Sequence, residues 1–353
     1  MRDPVTSVKA REIKSARSAL IFVALAALYA YGFGSTHAAL EEWWQATFER
    51  LVAGEAPTPM QYRILLPWLA RRLVSAMGRS GAPATLRQIR FGMELASVFG
   101  LLIAVFVVSP SIVVRARVPT ARLGGPAAWA AALLVALALP FHFLLLEPSR
   151  VFYIYDVPAI LFFFLGLAAA RAGAWRWFYP LFVLATLNRE TSCFLTVVIL
   201  LAGWGRWPWR RLLAHVAAQT ALWLAVKWAL WSVFQHNIDL QYGDAAGLFK
   251  LTWTDNLAAA RHLRTWLLLP AVYGYLWMPL LLVYGRLADP WLRRALLAVP
   301  LFHVAMLVPG EILELRIYAE MLPLVVLGLV AASADGGAVD LRQKRPCVTM
   351  GAC

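Results

Sequence analysis

The chain predicts an all-α, polytopic membrane fold of about ten transmembrane helices, each needing roughly 20 apolar residues, with interfacial helices in the first outer loop. Three observations carry that expectation. Of 353 residues, 61% are hydrophobic and only 15% charged, with a mean hydropathy of +0.66; a soluble domain is nearer half apolar and a quarter charged. Apolar stretches recur along the whole length. The connections between them alternate between arginine-rich and arginine-poor.

In order, the stretches lie near 17–36, 91–109, 125–145, 151–170, 176–188, 191–204, 212–234, 265–284, 292–308 and 315–333. The fifth and sixth are short and separated only by Asn188, Arg189 and Glu190, so they read either as a re-entrant pair or as one long bent helix. Thr36-His37-Ala38 loosely resembles a leader cleavage site, but the long apolar stretch and the acids among the bases before it favour an uncleaved anchor. Cys193 lies in a span and Cys347 and Cys353 in the tail, so no disulfide is expected. One membrane domain, 1–333, is followed by a tail, 334–353, whose glycines and basic cluster predict disorder.

Charge sets the orientation. With the N-terminus inside, the inner segments hold Arg2, Lys9, Arg11, Lys14 and Arg17, then Arg115, Arg117 and Arg122, then Arg171 and Arg176. Arg206, Arg210 and Arg211, Arg286, Arg293 and Arg294, and Arg342, Lys344 and Arg345 follow. Basic residues favour the cytoplasmic side of short loops, so both termini are expected in the cytoplasm. The net charge of +14 then reflects topology and anionic membrane lipids, and nucleic acid is not an expected partner.

The loop 37–89 is the longest segment outside the membrane. Leu40, Trp43, Trp44, Phe48, Leu51 and Val52 follow helical spacing opposite Glu41, Glu42 and Glu49, which predicts an amphipathic helix in the outer interface. Gly54 to Pro59 breaks it. A second helix is expected over Gln61–Leu69 with Pro67 near its first turn, and Arg71 and Arg72 directed at headgroups.

The threading gathers Glu94, Arg150, Asp156, Arg189, Glu190, Lys227, Glu311, Glu314 and Arg316 at the outer end. Each ionisable group in a span costs about 2.5–3.5 kcal/mol on insertion scales, so nine at one face predict a polar site open to the outside. Asp156 lies roughly 9 Å below Arg150 along a helix, with Pro158 expected to free backbone carbonyls near it. Arg189 and Glu190 diverge by about 100°; Arg189 is expected to pair with Asp156, Glu190 with Lys227 or Arg316, and Arg316 with Glu320 one turn on. Purely structural pairing is the alternative at each position. The loop with Asp239 and Asp244 is expected to be solvated, and His142 and His303 to make core hydrogen bonds. No zinc spacing, glycine-rich phosphate loop or Gly-x-Ser-x-Gly elbow occurs. A divalent ion held by acidic side chains alone stays open, since oxygen-ligand sites leave little trace in sequence.

Several of these segments resemble those of the GT-C superfamily of multi-spanning glycosyltransferases. They are the long first outer loop, Gln61-Tyr62-Arg63, Tyr155-Asp156-Val157-Pro158, Asn188-Arg189-Glu190-Thr191, and Arg316 followed by Met321-Leu322-Pro323. That resemblance implies a cell-envelope enzyme of the bacterial inner (plasma) membrane. Its donor would be a polyprenyl-phosphate-linked sugar, and its acceptor a glycan, lipid or protein. A carboxylate would act as base, from Asp156, Glu190, Glu41 or Glu42, and Arg63, Arg150, Arg189 and Arg316 would hold phosphate. The family's first outer loop usually carries a catalytic Asp; here that loop has only Glu41, Glu42, Glu49 and Glu55. A transporter or flippase of a lipid-linked or anionic substrate, and a non-catalytic membrane assembly protein, are the competing expectations.

Overall fold

A computed structural model describes residues 4–78, 82–113, 125–146, 149–237 and 253–343. Among the described residues every regular element is helical. Four helices are long and apolar enough to cross a membrane: Ser15–Ala38 within α1 (Pro4–Ala38), α4 (Pro83–Val113), α5 (Pro126–Phe143) and Leu315–Ala334. A fifth arises if Leu263–Tyr275 and Trp277–Arg286, bent by 70° at their junction, count as one span.

That number falls short of the ten expected, for reasons visible in the elements. α7 (Trp175–Asn188) and α8 (Phe194–Gly203) are about 21 Å and 15 Å long, against a hydrocarbon thickness of about 30 Å. Between them Arg189 is extended, at φ −159° and ψ 136°, and Glu190–Cys193 form a 3₁₀ turn. The stretch near 292–308 divides into α13 (Pro290–Ala295) and α14 (Ala298–Met306). α9 (Trp209–Phe234) is long enough, but Arg210, Arg211, Gln219 and Lys227 dilute its hydropathy. α6 (Asp156–Ala172) completes this half of the bundle.

The core is organised around α4, which packs against α1, α5 and α6. Val98, Leu101, Leu102, Val105 and Phe106 are buried at helical spacing. Facing them are Phe22, Ala26 and Ala30 of α1, with Phe22 stacked on Phe106 at 3.8 Å. The α5 face contributes Ala128, Ala131, Ala132 and Ala138. Lipid offers no hydrophobic drive between helices, so close van der Waals contact through small residues holds such a bundle together. The opposite faces are apolar and open, with Leu20, Leu28, Leu137 and Leu282 exposed, as suits contact with lipid rather than water.

The segment after α1 departs from the helix expected over 40–52. The chain turns after Ala38, and only Phe48–Ala53 (α2) is helical, capped by the Thr47 hydroxyl and by Gly54 at φ 86°. The backbone before it is committed elsewhere: the Glu41 carbonyl accepts from the Phe152 N–H at 2.9 Å, and the Glu42 carboxylate accepts from the Phe48 N–H. A 3₁₀ turn, Met60–Tyr62, then leads into α3 (Leu65–Ala76), with Pro67 in the first turn, where a missing N–H costs nothing. Arg71 turns back onto the Val52 carbonyl instead of reaching outward. α10 (Trp253–Ala259), α11 (Leu263–Leu268) and α12 (Trp277–Val283) follow α9. The last helix, α15 (Leu322–Gln343), continues past Ala334, where the tail was expected to lose order. Glu147, Asp239, Asp244, Arg115, Arg117 and Arg122 lie outside the described residues.

Candidate functional site

Asp156 is the first residue of α6, in the turn whose amides are unsatisfied and whose dipole favours an acid. Pro158 falls in that same turn, so it breaks no hydrogen bond and frees no carbonyl there, contrary to the sequence expectation. Arg189, held extended between α7 and the next 3₁₀ turn, donates Nη1–H to Asp156 Oδ1 at 3.1 Å. Arg316 donates Nη1–H to Asp156 Oδ2, also at 3.1 Å. One carboxylate, 1% exposed, therefore bridges two buried guanidiniums.

The backbone that presents Arg316 is fixed from several sides. The Leu315 carbonyl accepts from His142 Nδ1 and the Leu315 N–H donates to the Ser149 hydroxyl, each at 2.8 Å. His142 Nε2 in turn accepts from the Tyr273 N–H. His142 is thus a core hydrogen-bonding residue, as its solitary position predicted.

Residues 315–321 wind as a 3₁₀ turn, and this redirects the expected pairing of Arg316 with Glu320. Four residues along an α-helix return to nearly the same face, whereas at three residues per turn they end about 120° apart. Arg316 instead reaches Glu314 through Nη2 at 2.6 Å. Glu320 faces Arg189, with Nε–Oε1 at 3.2 Å, and accepts from the Thr191 hydroxyl. A cavity of about 10 Å³ between Arg189 and Glu320 has room for one water.

Glu190 makes its hydrogen-bonded pair with neither Lys227 nor Arg316, although Lys227 lies near enough to attract its carboxylate. Its carboxylate meets Arg63 in a two-point contact, Nη2–Oε1 at 2.8 Å and Nε–Oε2 at 3.2 Å, and its carbonyl accepts from Trp223. Burial pulls the Arg63 guanidinium down in pKa, but Glu190 beside it prevails and holds it above its usual value. Arg63 lies over the Tyr155 ring at 4.4 Å and Arg316 over Tyr153 at 4.2 Å, and the two rings stack at 5.3 Å. Lys227 lies over Tyr62 at 4.3 Å.

The result is a network of four carboxylates, Asp156, Glu190, Glu314 and Glu320, and four cations, Arg63, Arg189, Arg316 and Lys227. Its edges reach the surface: the side chains of Glu314 and Glu190 are 22% and 27% exposed, and Lys227 is half-buried. The charged members of this network were all singled out in the sequence; what it did not foresee are the pairs Arg63–Glu190, Arg316–Glu314 and Arg189–Glu320, and the stacking of Tyr153 on Tyr155. Three other candidates lie apart. Arg150 and Glu41 are exposed and outside these contacts. Glu42 binds Arg90 at 2.8 Å, and burial, only partly offset by Arg90, raises its pKa.

A divalent ion does not fit these residues. Both Asp156 oxygens are taken by guanidiniums, and among the described residues no three His, Cys, Asp or Glu side chains group as ligands. A second buried pair, His37 Nδ1 and Glu94 Oε1 at 2.8 Å, ties α1 to α4. Beyond the polar network, a cavity of about 690 Å³ lies between the bent 263–286 segment and α14, lined by Trp266, Trp277, Leu281, Leu296, His303 and Val304 among others. His303 stacks on Tyr318, from the 3₁₀ turn that carries Arg316 and Glu320. No protein-family model matches the chain, nor does any curated protein or solved structure.

Proposed function

We propose that the chain is a glycosyltransferase whose donor is a polyprenyl-phosphate-linked sugar, working at the outer face of the membrane. The observation that carries this reading is the convergence of Arg189 and Arg316 on Asp156, with Arg63 held beside them by Glu190, and with Glu190 and Glu314 at the accessible edge. Guanidinium matches phosphate in two-point geometry. A phosphate arriving at Arg63 or Arg316 replaces the carboxylate now bound there, and the freed Glu190 or Glu314 is then available as a base. The acceptor hydroxyl attacks the anomeric carbon, and its proton passes to that carboxylate. The sugar–oxygen bond to phosphate breaks, and the electron pair leaves on the polyprenyl phosphate, whose charge the arginines stabilise. Asp156, with both oxygens engaged, orients Arg189 and Arg316 rather than taking the proton. The apolar cavity of about 690 Å³ suits hydrocarbon of the donor.

One observation favours the competing reading of a transporter. The 263–286 span is broken, and Tyr273, Gly274 and Tyr275 take left-handed backbone conformations within it; interrupted helices mark transporter sites. The experiment that separates the two is incubation of the purified protein with a panel of polyprenyl-phosphate sugars and acceptor lipids. Loss of sugar transfer per folded molecule in an Arg63→Gln protein that still melts cooperatively supports the enzyme. Movement of intact lipid-linked sugar across proteoliposomes, without transfer, overturns it.

A further inference from the structure

The far end of α6 carries a second charged surface of opposite character. Three connecting segments, 171–176, 204–211 and 284–294, contain eight arginines and a single acid, Asp289. They meet in space around that acid. Asp289 is buried, caps α13 by accepting from the Trp291 N–H, and is in ion-pair contact with Arg171 and Arg206. Arg294 donates to the Trp204 carbonyl, closing the second segment onto the third. Trp175 packs edge-on to Trp207, closing the first onto the second.

Arg171 and Arg294 are thus used to assemble the surface. Arg176, Arg210, Arg211, Arg286 and Arg293 are exposed and meet no carboxylate among the described residues. Tryptophans interleave with them: Arg176 lies over Trp177 and Arg211 over Trp207, while Trp204 and Trp209 are exposed. α9, long enough to cross a bilayer although charged and polar residues dilute its hydropathy, sets the level of this surface. Exposed Trp209 and Trp231 stand about 33 Å apart along that helix, close to the roughly 30 Å of hydrocarbon in a bilayer. Tryptophan concentrates at the two membrane–water boundaries, so Arg206, Arg210 and Arg211 lie at headgroup depth.

We infer that this arginine–tryptophan surface, assembled around Asp289, is a binding site for the phosphodiester headgroups of anionic membrane phospholipids. Excess positive charge at headgroup depth supplies the attraction, the aromatic rings supply the interfacial seat, and the buried Asp289 holds the three segments together. The inference is independent of the sugar-transfer reading.

The test uses the full-length protein in neutral detergent, titrated with phosphatidylglycerol or phosphatidylcholine and followed by native mass spectrometry and thermal melting. Phosphatidylglycerol should bind more tightly and raise the melting temperature further. Each arginine replaced among Arg176→Gln, Arg210→Gln, Arg211→Gln and Arg293→Gln should weaken its apparent affinity about fivefold. Arg87→Gln, at the other end of the bundle, should leave it unchanged. High salt should remove the preference in the unmodified protein, a readout that needs no variant to fold. Equal binding of the two lipids, an undiminished preference in the Arg210→Gln/Arg211→Gln protein, or occupation by a retained acidic protein in place of lipid would each overturn the assignment.

Discussion

Two arginine-rich regions stand about 22 Å apart along α6, from Asp156 to Arg171, and they obey different rules. At the Asp156 end the guanidiniums of Arg189 and Arg316 are buried and ion-paired, and four cations balance four carboxylates. At the Asp289 end eight arginines share one acid, and most are exposed. The difference is one of dielectric. A buried charge without a partner costs several kcal/mol, so the chain must supply a partner for each; an exposed one is solvated and needs none. Balanced burial fixes geometry, whereas unbalanced exposure leaves charge available for something outside the chain.

The sharpest way to break that contrast is to unbalance the buried end. Asp156→Asn leaves Arg189 and Arg316 without their shared carboxylate and should cost about 3–5 kcal/mol, read as a large fall in melting temperature in detergent. Replacing Asp156 and Arg316 together with uncharged residues should cost less than the two single changes summed. Strict additivity in that cycle would show that the bridge seen at 3.1 Å carries no coupling.

The edge of the network should respond less in stability and more in chemistry. Arg63→Gln removes a two-point contact to a part-exposed Glu190, a charge-assisted pair worth about 1.5–3 kcal/mol. Sugar transfer should fall about tenfold or more, with Arg63→Lys recovering only part, since an ammonium lacks the planar fork. Recovery to full rate by lysine would reduce Arg63 to a point charge. Glu42→Gln, in the separate Arg90 pair, should leave transfer unchanged while slightly loosening α2.

The smallest effect belongs to the exposed end. Arg210→Gln or Arg211→Gln should shift stability in lipid-free detergent by less than about 0.5 kcal/mol. A loss as large as that from Asp156→Asn would erase the distinction between the two regions.

Much of the contrast is legible in the chain itself. Asp156, Arg189 and Arg316 stand out because each interrupts an apolar stretch, and the pairing of Arg189 with Asp156 follows from their shared depth. The break between α7 and α8 is visible at Asn188-Arg189-Glu190. The Arg63–Glu190 contact is not, because 127 residues separate its partners and nothing local marks it. The redirected Glu320 depends on 3₁₀ rather than α winding, which side-chain spacing does not reveal. The 40–52 segment has helical spacing, but a tertiary hydrogen bond from Phe152 and a local one from Phe48 to the Glu42 side chain outcompete the helix. The expected count of ten spans rested on apolar length alone, and the turns inside 176–204, 263–286 and 290–306 divide those lengths into pieces too short to cross singly.

The equality of four acids and four bases around Asp156 has an electrical consequence. A membrane potential exerts no net force on a cluster of zero total charge, so the assembled network can shift along the bilayer normal without doing work against the field. Neutralising one member changes that. A net elementary charge crossing the full potential drop exchanges about 2.3 kcal/mol per 100 mV, so a charge-removing substitution there would make any motion of the network voltage-sensitive, where the intact network is indifferent.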